Sequence, residues 1–361
     1  MSIVRFPWSP PSTPLVGIDL GTSALKLVAL GREGGRLVVR SHAMVDLPRD
    51  TIVENEVLDS RQFTDTLTAL TEQAGVGDAR AAIAIGGSAL FHKSIQLPYA
   101  DEFDLEPTIQ EIAAEHVPFP MEEVYLDFAI QGGNEENPEL MDVVLVACKR
   151  DIVDDLQLLL LDAGLELAVV DCAVYALQNA AMLALAEGAE AAEEVEEEPQ
   201  EGEPPAVVLV NIGAHMTNVN VVGGVRSLFV RDHYFGGEQL TTMIHEECGC
   251  GFSTAERRKL AGEIPAGLAD RFFDALEAEV MRSVDFFSSL FPDRSIGKAL
   301  VTGGGALLPG LPEAMAERLK MEVALFDPAA VLRDAAGKPL AGGARMTLAA
   351  GLALRALDGQ P

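Results

Sequence analysis

The chain has 361 residues, of which 48% are hydrophobic, and its 26 basic and 56 acidic residues give a formal net charge of −30. This length suits about two domains, and the hydrophobic content excludes a wholly disordered or disulfide-stapled chain. A strongly acidic surface repels phosphate backbones and anionic lipid. Nucleic acid and direct docking to a membrane surface are therefore not expected.

Membrane insertion and export are also disfavoured. No stretch has the roughly 20 uninterrupted apolar residues of a membrane span, because residues 169–186 are broken by Asp171, Gln178 and Asn179. The first fourteen residues contain four prolines and lack the apolar run of a signal peptide. The four cysteines suit a reducing compartment. The sequence predicts a cytoplasmic protein without a membrane span.

The first motif that points to chemistry is a strand ending in a polar glycine turn. The strand over 15–20 contains Asp19, and the turn Gly21-Thr22-Ser23 leads into a second apolar strand. This pattern predicts a β-hairpin. Backbone N–H groups in such a turn can bind phosphate oxygens, and a carboxylate at the strand end can hold hydrated Mg²⁺. Plain hairpins use the same residue types, so both interpretations remain open.

The residues that follow predict an α+β insertion within the first half of the chain. Alternating and apolar patterns indicate strands over 81–86, 91–97, 124–131 and 142–149, with helices over 106–116 and 151–163. After this insertion, residues 187–203 contain nine glutamates and no basic residue. Such a run repels itself and cannot bury apolar surface, so it predicts a solvated linker, with an acidic interaction tract as the alternative.

The second half begins with the same kind of hairpin as the first. Strands over 207–212 and 217–222 flank a turn with Gly213, and Asn211 stands where the first hairpin has Asp19. Two copies of one hairpin predict an internally duplicated, two-lobed protein. Beyond it, further elements are predicted as strands over 227–231 and 299–302 and helices over 236–244, 253–260, 267–290, 311–319 and 345–357.

A third glycine-rich segment, Gly303-Gly304-Gly305, ends the strand over 299–302. Because these residues lack side chains, a flat ring or a phosphate can approach the main chain there. A tight turn between a strand and a helix is the alternative explanation.

The order of these pieces resembles the actin, sugar-kinase and DnaK-type ATPase superfamily. Within that superfamily, residues 14–357 resemble the PilM family of cytoplasmic, actin-like proteins of type IV pilus assembly. The stretches that carry this resemblance are VGIDLGTSALKLVAL (16–30), EHVPFPMEEVYLDF (115–128), VLVACKRDIVDDLQLLLLDAGLELAVVD (144–171), FVRDHYFGGEQLTTMI (229–244), EVMRSVDFFSS (279–289), ALVTGGGALLPGL (299–311) and GLALR (351–355).

The resemblance implies an α/β, actin-like fold, a duplicated ribonuclease H-like arrangement of two lobes with an inserted α+β subdomain. The implied divisions are an N-terminal tail (1–13), a first lobe IA (14–80 and 165–186), the insert IC (81–164), an acidic linker (187–205), a second lobe IIA (206–240 and 299–344), subdomain IIB (241–298) and a C-terminal helix (345–357).

The resemblance further implies that ATP and Mg²⁺ bind between the lobes. The residues that match the family's motifs are Asp19, Gly21, Thr22, Ser23 and Lys26 in the first phosphate loop, Gly213, Ala214 and Thr217 in the second, and Glu256, Lys259, Gly303, Gly304 and Gly305 around the adenosine, with Gly237 as a further cofactor-binding residue. Asp19 would position the metal, through water, or a reacting water. Glu256 and Lys259 lie one helical turn apart, so a surface ion pair is the alternative for them.

Two departures from the family pattern bear on turnover. Asn211 stands where the second phosphate loop usually has Asp, and Ala173 stands where many relatives have Glu. An amide cannot act as a base or carry charge to a metal, and Asp171 lies two residues from the expected position. We therefore expect ATP to be bound but turned over very slowly or not at all.

The partner implied by the resemblance is the cytoplasmic N-terminal peptide of PilN, held in a groove between the first lobe and the insert. Other platform proteins and assembly ATPases are further expected partners in pilus biogenesis and twitching motility, homo-oligomer formation is left open, and the protein would lie at the inner membrane through its partner. His116, Phe119 and Tyr125 occur near that groove in sequence, with core packing as their alternative role.

The alternatives are an active ATPase or small-molecule kinase of the superfamily and an FtsA-like filament protein. The sequence offers no clear Asp general base in a substrate-binding lobe for the first, and no amphipathic tail after the last predicted helix for the second.

Overall fold

The computed structural model describes residues 4–5, 14–134, 137–192 and 204–357. Most of the predicted tail (1–13) and the central part of the predicted acidic linker (193–203) lie outside these described residues. Among the helices that are described, none is both long enough and apolar enough to cross a membrane.

The first lobe is built on a six-stranded sheet in the order β1-β11-β7-β2-β3-β4, of which β11 (Glu166–Cys172) comes from later in the chain than the rest. The predicted hairpin is confirmed, because Asp19 pairs with Lys26 across two antiparallel strands. A strap (residues 47–59) then leads into a helix whose N-terminus is capped by the Asp59 carboxylate. The elements up to this point are β1 (Val4–Arg5), β2 (Leu15–Leu20), β3 (Ala24–Glu33), β4 (Arg36–Asp46), β5 (Ile52–Val53), β6 (Glu56–Val57), α1 (Ser60–Ala74) and β7 (Arg80–Ile85).

The insert is a separate three-stranded antiparallel sheet in the order β8-β10-β9. Its own core joins one face of that sheet to two short helices through Ile109, Ala113 and Leu145. The helix predicted over 106–116 is shorter than expected: residues 106–108, which include Pro107, form a turn, and the helix covers only Ile109–Ala114, while the short helix Glu102–Leu105 before this turn was not predicted. The elements are β8 (Leu90–Pro98), α2 (Glu102–Leu105), α3 (Ile109–Ala114), β9 (Val124–Gly133) and β10 (Leu140–Lys149).

The chain returns to the first lobe through α4 (Arg150–Asp162), β11 (Glu166–Cys172) and α5 (Ala173–Ala192). The core of the first lobe contains Val153 and Leu156 of α4, and β7 and β11 are parallel neighbours in its sheet. The insert predicted over 81–164 is therefore too long at both ends, because residues 81–85 and α4 belong to the first lobe. The linker predicted from residue 187 begins too early, since α5 continues to Ala192.

The second lobe repeats the sheet of the first. Its strand order, β14-β13-β12-β15-β16, matches β4-β3-β2-β7-β11, with an antiparallel triplet followed by two parallel strands in both sheets. This confirms the predicted duplication. The elements are β12 (Ala206–Ile212), β13 (Thr217–Gly223), β14 (Arg226–His233), α6 (Gly237–Cys248), α7 (Phe252–Leu260), α8 (Leu268–Leu290), β15 (Ile296–Thr302), α9 (Leu311–Leu319), β16 (Glu322–Leu325) and α10 (Thr347–Ala353).

The last helix crosses back to the first lobe and packs there without room for side chains. A Cβ on Gly351 of α10 would lie 1.8 Å from the carbonyl oxygen of Ala176 in α5, and one on Gly17 of β2 would lie 2.3 Å from the carbonyl oxygen of Ala349. The helix predicted over 345–357 is shorter than expected, because its ends, Gly343–Met346 and Leu354–Leu357, are single 3₁₀ turns.

A buried ion pair fixes the same junction. Arg355, just after α10, donates from Nε to the Oδ2 of Asp171 at 2.6 Å, and the Asp171 side chain is fully buried at the end of β11. Burial raises the pKa of Asp171, and the guanidinium of Arg355 opposes that rise. Asp171 thus forms its ion pair with Arg355 of the C-terminal segment and does not reach the cleft.

We predict that Gly351→Ala strongly lowers stability. The added methyl group overlaps the Ala176 carbonyl, which is backbone and cannot rotate away. Overpacking of this kind costs about 1–3 kcal/mol or more in the free energy of unfolding, which urea titration measures. The matched control is Gly77→Ala, since a Cβ at Gly77 has nothing within 4 Å. Equal stability of both variants would contradict the close packing.

We also predict an acid-sensitive contact between the insert and α5. His92 Nε2 is hydrogen-bonded to the hydroxyl of Tyr175, and burial lowers the pKa of His92 from 6.5 to about 4. As the pH falls, His92 is protonated in the unfolded chain before it is protonated in the folded one. Its contribution to the free energy of unfolding is therefore fully present above pH 6.5 and is lost as the pH falls towards 4. The loss is at most about 3 kcal/mol.

The measurement is the free energy of unfolding between pH 7 and 4.5 in the wild type and in His92→Asn. The variant should lose less stability on acidification, because the replaced side chain does not titrate. His245→Asn, at an exposed position on α6, is the control and should follow the wild-type curve. Identical pH dependence in all three proteins would contradict the assignment.

Candidate functional site

The first turn encloses an ion pair. Lys26 Nζ lies 2.8 Å from Asp19 Oδ2 and 3.3 Å from the carbonyl oxygen of Ala24, and both charged residues are less than 10% exposed. Gly21 makes this arrangement possible, since a Cβ there would lie 2.7 Å from Lys26 Nζ. The turn therefore keeps one positive and one negative group directly beside Gly21, while Thr22 is half-buried and Ser23 is exposed.

The second turn is tied to the start of α6. The N–H groups of Gly237 and Glu238 donate to the carbonyl oxygens of Gly213 and Ala214, both at 2.9 Å. Thr217 is fully buried and its hydroxyl donates to the carbonyl oxygen of Phe235 at 2.7 Å. Thr217 thus holds the turn in place rather than offering its hydroxyl to the cleft.

The triple glycine lies against the second turn. Gly303 has a φ of 87°, and a Cβ there would lie 2.5 Å from Asn211 Oδ1, so this position needs glycine for both reasons. Gly305 lies close to Ile212 and to Gly237, whereas Gly304 faces open space beside the Arg345 side chain. The segment thus leaves main chain accessible at Gly304.

Glu256 and Lys259 form the expected ion pair at 2.8 Å, but it is not a simple surface pair. Lys259 is 9% exposed, and its ammonium also donates to the carbonyl oxygen of Gly237 at 3.0 Å and to the hydroxyl of Thr241 at 2.8 Å. The structure therefore brings Lys259 to Gly237, beside the second turn and the triple glycine.

Direct contacts join the two turns across the cleft. Thr22 Oγ1 lies 3.0 Å from His215 Nδ1, and His215 Nε2 is hydrogen-bonded to the carboxylate of Glu238. From the strap, Arg49 Nε lies 2.8 Å from Glu238 Oε1, and its guanidinium lies 3.9 Å above the Phe252 ring. Arg49, His215 and Glu238 were not predicted as site residues, because no sequence pattern links these three distant positions.

One of the two departures from the family pattern, Asn211, belongs to a second cross-lobe network, and the other, Ala173, lies beside it. Asn211 donates to Asn218 at 2.9 Å, and Asn218 donates to Asp232 at 2.6 Å. Asp232 also accepts the backbone N–H of Gly87 at 2.6 Å, so its carboxylate is used in holding the lobes together. The Ala173 side chain lies near Gly86, where it adds no polar group.

These residues suit a nucleotide. The turn at Gly21 has a buried ammonium beneath it, Gly304 exposes main chain, and Lys259 supplies a second buried cation in an otherwise acidic protein. Such groups match phosphates and a flat base. For a metal, the described residues contain no cluster of three His, Cys, Asp or Glu side chains, so a cation would depend on phosphate oxygens and water together with Asp19.

A hydrolase-like set of side chains proves to be structural. His233 lies 2.7 Å from Ser283 Oγ and 2.8 Å from Glu279 Oε2, which is the order of a nucleophile, a base and an acid. Ser283 is fully buried, however, so no substrate reaches it. Burial lowers the pKa of His233, while Glu279 opposes that change. The network joins β14 to α8.

A separate groove lies between the strap and the junction of β10 with α4. One side has the exposed apolar side chain of Leu58 together with Glu54 and Glu56, and the other has Lys149 and Ile152. Of the aromatic residues considered from the sequence, Phe119 lies 5.5 Å from the Lys149 ammonium and packs on the insert core, while the Tyr125 hydroxyl donates to Asp154 at 2.9 Å. His116 Nδ1 lies 3.3 Å from Lys93 Nζ.

The family profile described as type IV pilus assembly protein PilM matches residues 17–357. A solved structure described as the PilM-PilN type IV pilus biogenesis complex is similar over 97% of this chain and 99% of that chain, with 24% identity and a TM-score of 0.81. The ethanolamine utilization protein EutJ from Carboxydothermus hydrogenoformans is similar over 97% of this chain and 92% of its own, with 17% identity and a TM-score of 0.54. These likenesses establish an actin-like fold, and the profile match shows that the chain belongs to the PilM family of type IV pilus assembly proteins.

Proposed function

We propose that this protein is a scaffold of the pilus assembly platform that binds ATP with Mg²⁺ in its cleft and the cytoplasmic N-terminal peptide of PilN in its groove. The observation that carries the proposal is the meeting of two equivalent turns from duplicated sheets, with Thr22 and His215 3.0 Å apart. Turns of this kind offer converging N–H groups to phosphate.

Each part of the cleft has a distinct task in this proposal. Lys26 supplies positive charge to the phosphates and Asp19 orients water around Mg²⁺, which itself neutralises phosphate charge when bound. The accessible main chain at Gly304 receives the adenosine, with Lys259 and Glu256 fixing the neighbouring start of α6.

Slow or absent hydrolysis follows from the same geometry. Asn211 uses its amide to hold Asn218, and Ala173 provides no acid or base. Asp232, the nearby carboxylate, already accepts two hydrogen bonds. A nucleotide that is bound but not consumed acts by its preference for the closed arrangement of the lobes. This favours the scaffold over the active ATPase or kinase.

The groove suits a basic peptide with apolar residues. Glu54 and Glu56 supply negative charge, while Leu58 and Ile152 supply apolar contacts. The cytoplasmic end of a membrane protein is enriched in Lys and Arg, so an acidic receptor is electrostatically matched to it. The peptide would hold the protein at the inner membrane, where other platform proteins and assembly ATPases are accessible.

We predict that saturating Mg-ATP raises the melting temperature of the wild type by a few degrees. Ligand at 100 times its dissociation constant adds about 2.7 kcal/mol to stability. Asp19→Asn should reduce the shift, whereas Asp65→Asn, at an exposed position on α1, should keep it. The absence of any wild-type shift would contradict nucleotide binding, and steady phosphate release abolished by Asp19→Asn would contradict slow turnover.

We predict that a synthetic PilN N-terminal peptide binds with an affinity that falls as salt increases, because the contact is partly electrostatic. The double variant Glu54→Lys and Glu56→Lys should weaken binding roughly tenfold or more, as two unlike-charge contacts become repulsive. Glu246→Lys with Glu247→Lys, exposed on α6, is the control for the same change in net charge. Equal weakening in both double variants would show that the groove is not the site.

A further inference from the structure

One side of α4 is exposed and combines apolar with acidic side chains. Leu158 is 61% exposed and Leu161 is 63% exposed, although the opposite side of the helix packs in the core of the first lobe. Two leucines three residues apart are neighbours on a helix surface, so they form one small apolar spot. Together with the exposed aspartates at helical spacing around them, they make up the acidic face of α4, which consists of Asp151, Asp155, Leu158, Leu161 and Asp162.

The negative charge of this face is not balanced by the protein itself. Within the described parts of the chain, none of its three aspartates forms an ion pair with a basic side chain. Asp154, at the edge of the face, differs because it accepts a hydrogen bond from the Tyr125 hydroxyl, and the guanidinium of Arg150 lies 4.2 Å above that ring. The face therefore matches a segment that carries Lys or Arg together with apolar side chains.

The acidic face is continuous with the groove of the proposed function. Lys149 and Ile152 line that groove at the start of α4. Ile152 and Asp155 are three residues apart, so they are neighbours on the helix surface and join the groove to the face. Because an α-helix rises 1.5 Å per residue, Leu158 lies about 9 Å and Asp162 about 15 Å farther along α4 than Ile152. About three to five residues of extended chain cover this distance.

We propose that the acidic face of α4 binds the basic segment that joins the groove-bound peptide to its membrane span. The inference rests on the proposed binding of that peptide in the groove and extends it. Residues beside the cytoplasmic end of a membrane span are enriched in Lys and Arg, which are the charges that the aspartates of the face lack. Leu158 and Leu161 contact the apolar side chains and aliphatic stems of the same segment.

This arrangement orients the protein at the membrane. The peptide runs from the groove along α4 towards its membrane span, so the end of α4 at Asp162 is closer to the bilayer than the groove is. An acidic surface by itself is repelled by anionic lipid. The basic segment lies between the two and reduces this repulsion. Since both contacts are made by one chain, the second is intramolecular and adds to the affinity of the first.

The test is calorimetric titration of the full chain with two synthetic PilN N-terminal peptides. The short peptide ends before the basic residues that precede the membrane span, and the long peptide includes them. The long peptide should bind the wild type roughly tenfold more tightly, and this advantage should fall as salt increases. The double variant Asp155→Lys and Asp162→Lys should abolish the advantage while the affinity for the short peptide stays within about twofold.

Two further variants separate charge from apolar contact. Leu158→Ser with Leu161→Ser should reduce the advantage of the long peptide and leave its salt dependence in place, because the aspartates are retained. Glu246→Lys with Glu247→Lys, exposed on α6, makes the same change in net charge as the aspartate variant and should keep the advantage. In the wild type, the methyl resonances of Leu158 and Leu161 should shift with the long peptide and not with the short one.

The outcomes distinguish this inference from the groove itself. Equal affinities of the two peptides for the wild type, or equal losses in the aspartate variant and the α6 control, would overturn the inference and leave groove binding intact. A wild-type oligomer that Leu158→Ser with Leu161→Ser dissociates would assign the face to a second copy of the chain and would also overturn it. Failure of the wild type to bind either peptide would overturn both this inference and the proposed groove.

Discussion

The junction at which the last helix returns to the first lobe determines the geometry of everything else. Gly351 brings α10 against the backbone of α5, and Gly17 lets the same helix approach β2. Asp171 and Arg355 complete the contact with a buried ion pair. Because Asp19 lies near the end of β2 and α5 packs on the second lobe through the contact of Gln178 with Val225, this junction sets where the two turns meet. Glycine at positions 17 and 351 is thus required for this arrangement of the cleft.

Many polar side chains of the cleft form contacts between the two lobes. Two separate networks cross it, one through Thr22, His215, Glu238 and Arg49, and one through Asn218, Asp232 and Gly87. Each crossing contact is modest by itself, since hydrogen bonds contribute about 1 kcal/mol net. In the proposed function, a nucleotide would enter a cleft that is already ordered, which lowers the conformational cost of binding.

Most helices and strands, and the hairpin that carries Asp19, were predicted from the sequence because they depend on local patterns. The hairpin at Asp19, the duplicated hairpin at Asn211 and the triple glycine each carry a local signal. The limits of the insert were less predictable, because the strand over residues 81–85 has the same apolar pattern whichever sheet it joins, and only pairing with β2 and β11 decides this. The late start of α3 had a local signal, because Pro107 lies in the turn that precedes this helix.

Contacts between residues far apart in the chain could not be predicted from local sequence patterns. Arg49, His215 and Glu238 come from three separate segments, and only the closed fold brings them together. The burial of Lys259 and Thr217 could not be predicted either, because lysine and threonine occur both at protein surfaces and in cores. The commitment of Asp171 to Arg355 depends on a contact spanning 184 positions in the chain.

That separation of Asp171 and Arg355 has a consequence for biosynthesis. The first lobe includes both the opening strands and the final helix, whereas the sheet of the second lobe, from β12 to β16, is continuous in the chain. Chains fold progressively as they leave the ribosome, and contacts between distant residues form last. The second lobe can therefore close while the first still lacks its last helix. The nascent chain acquires its complete cleft only after α10 has been synthesised.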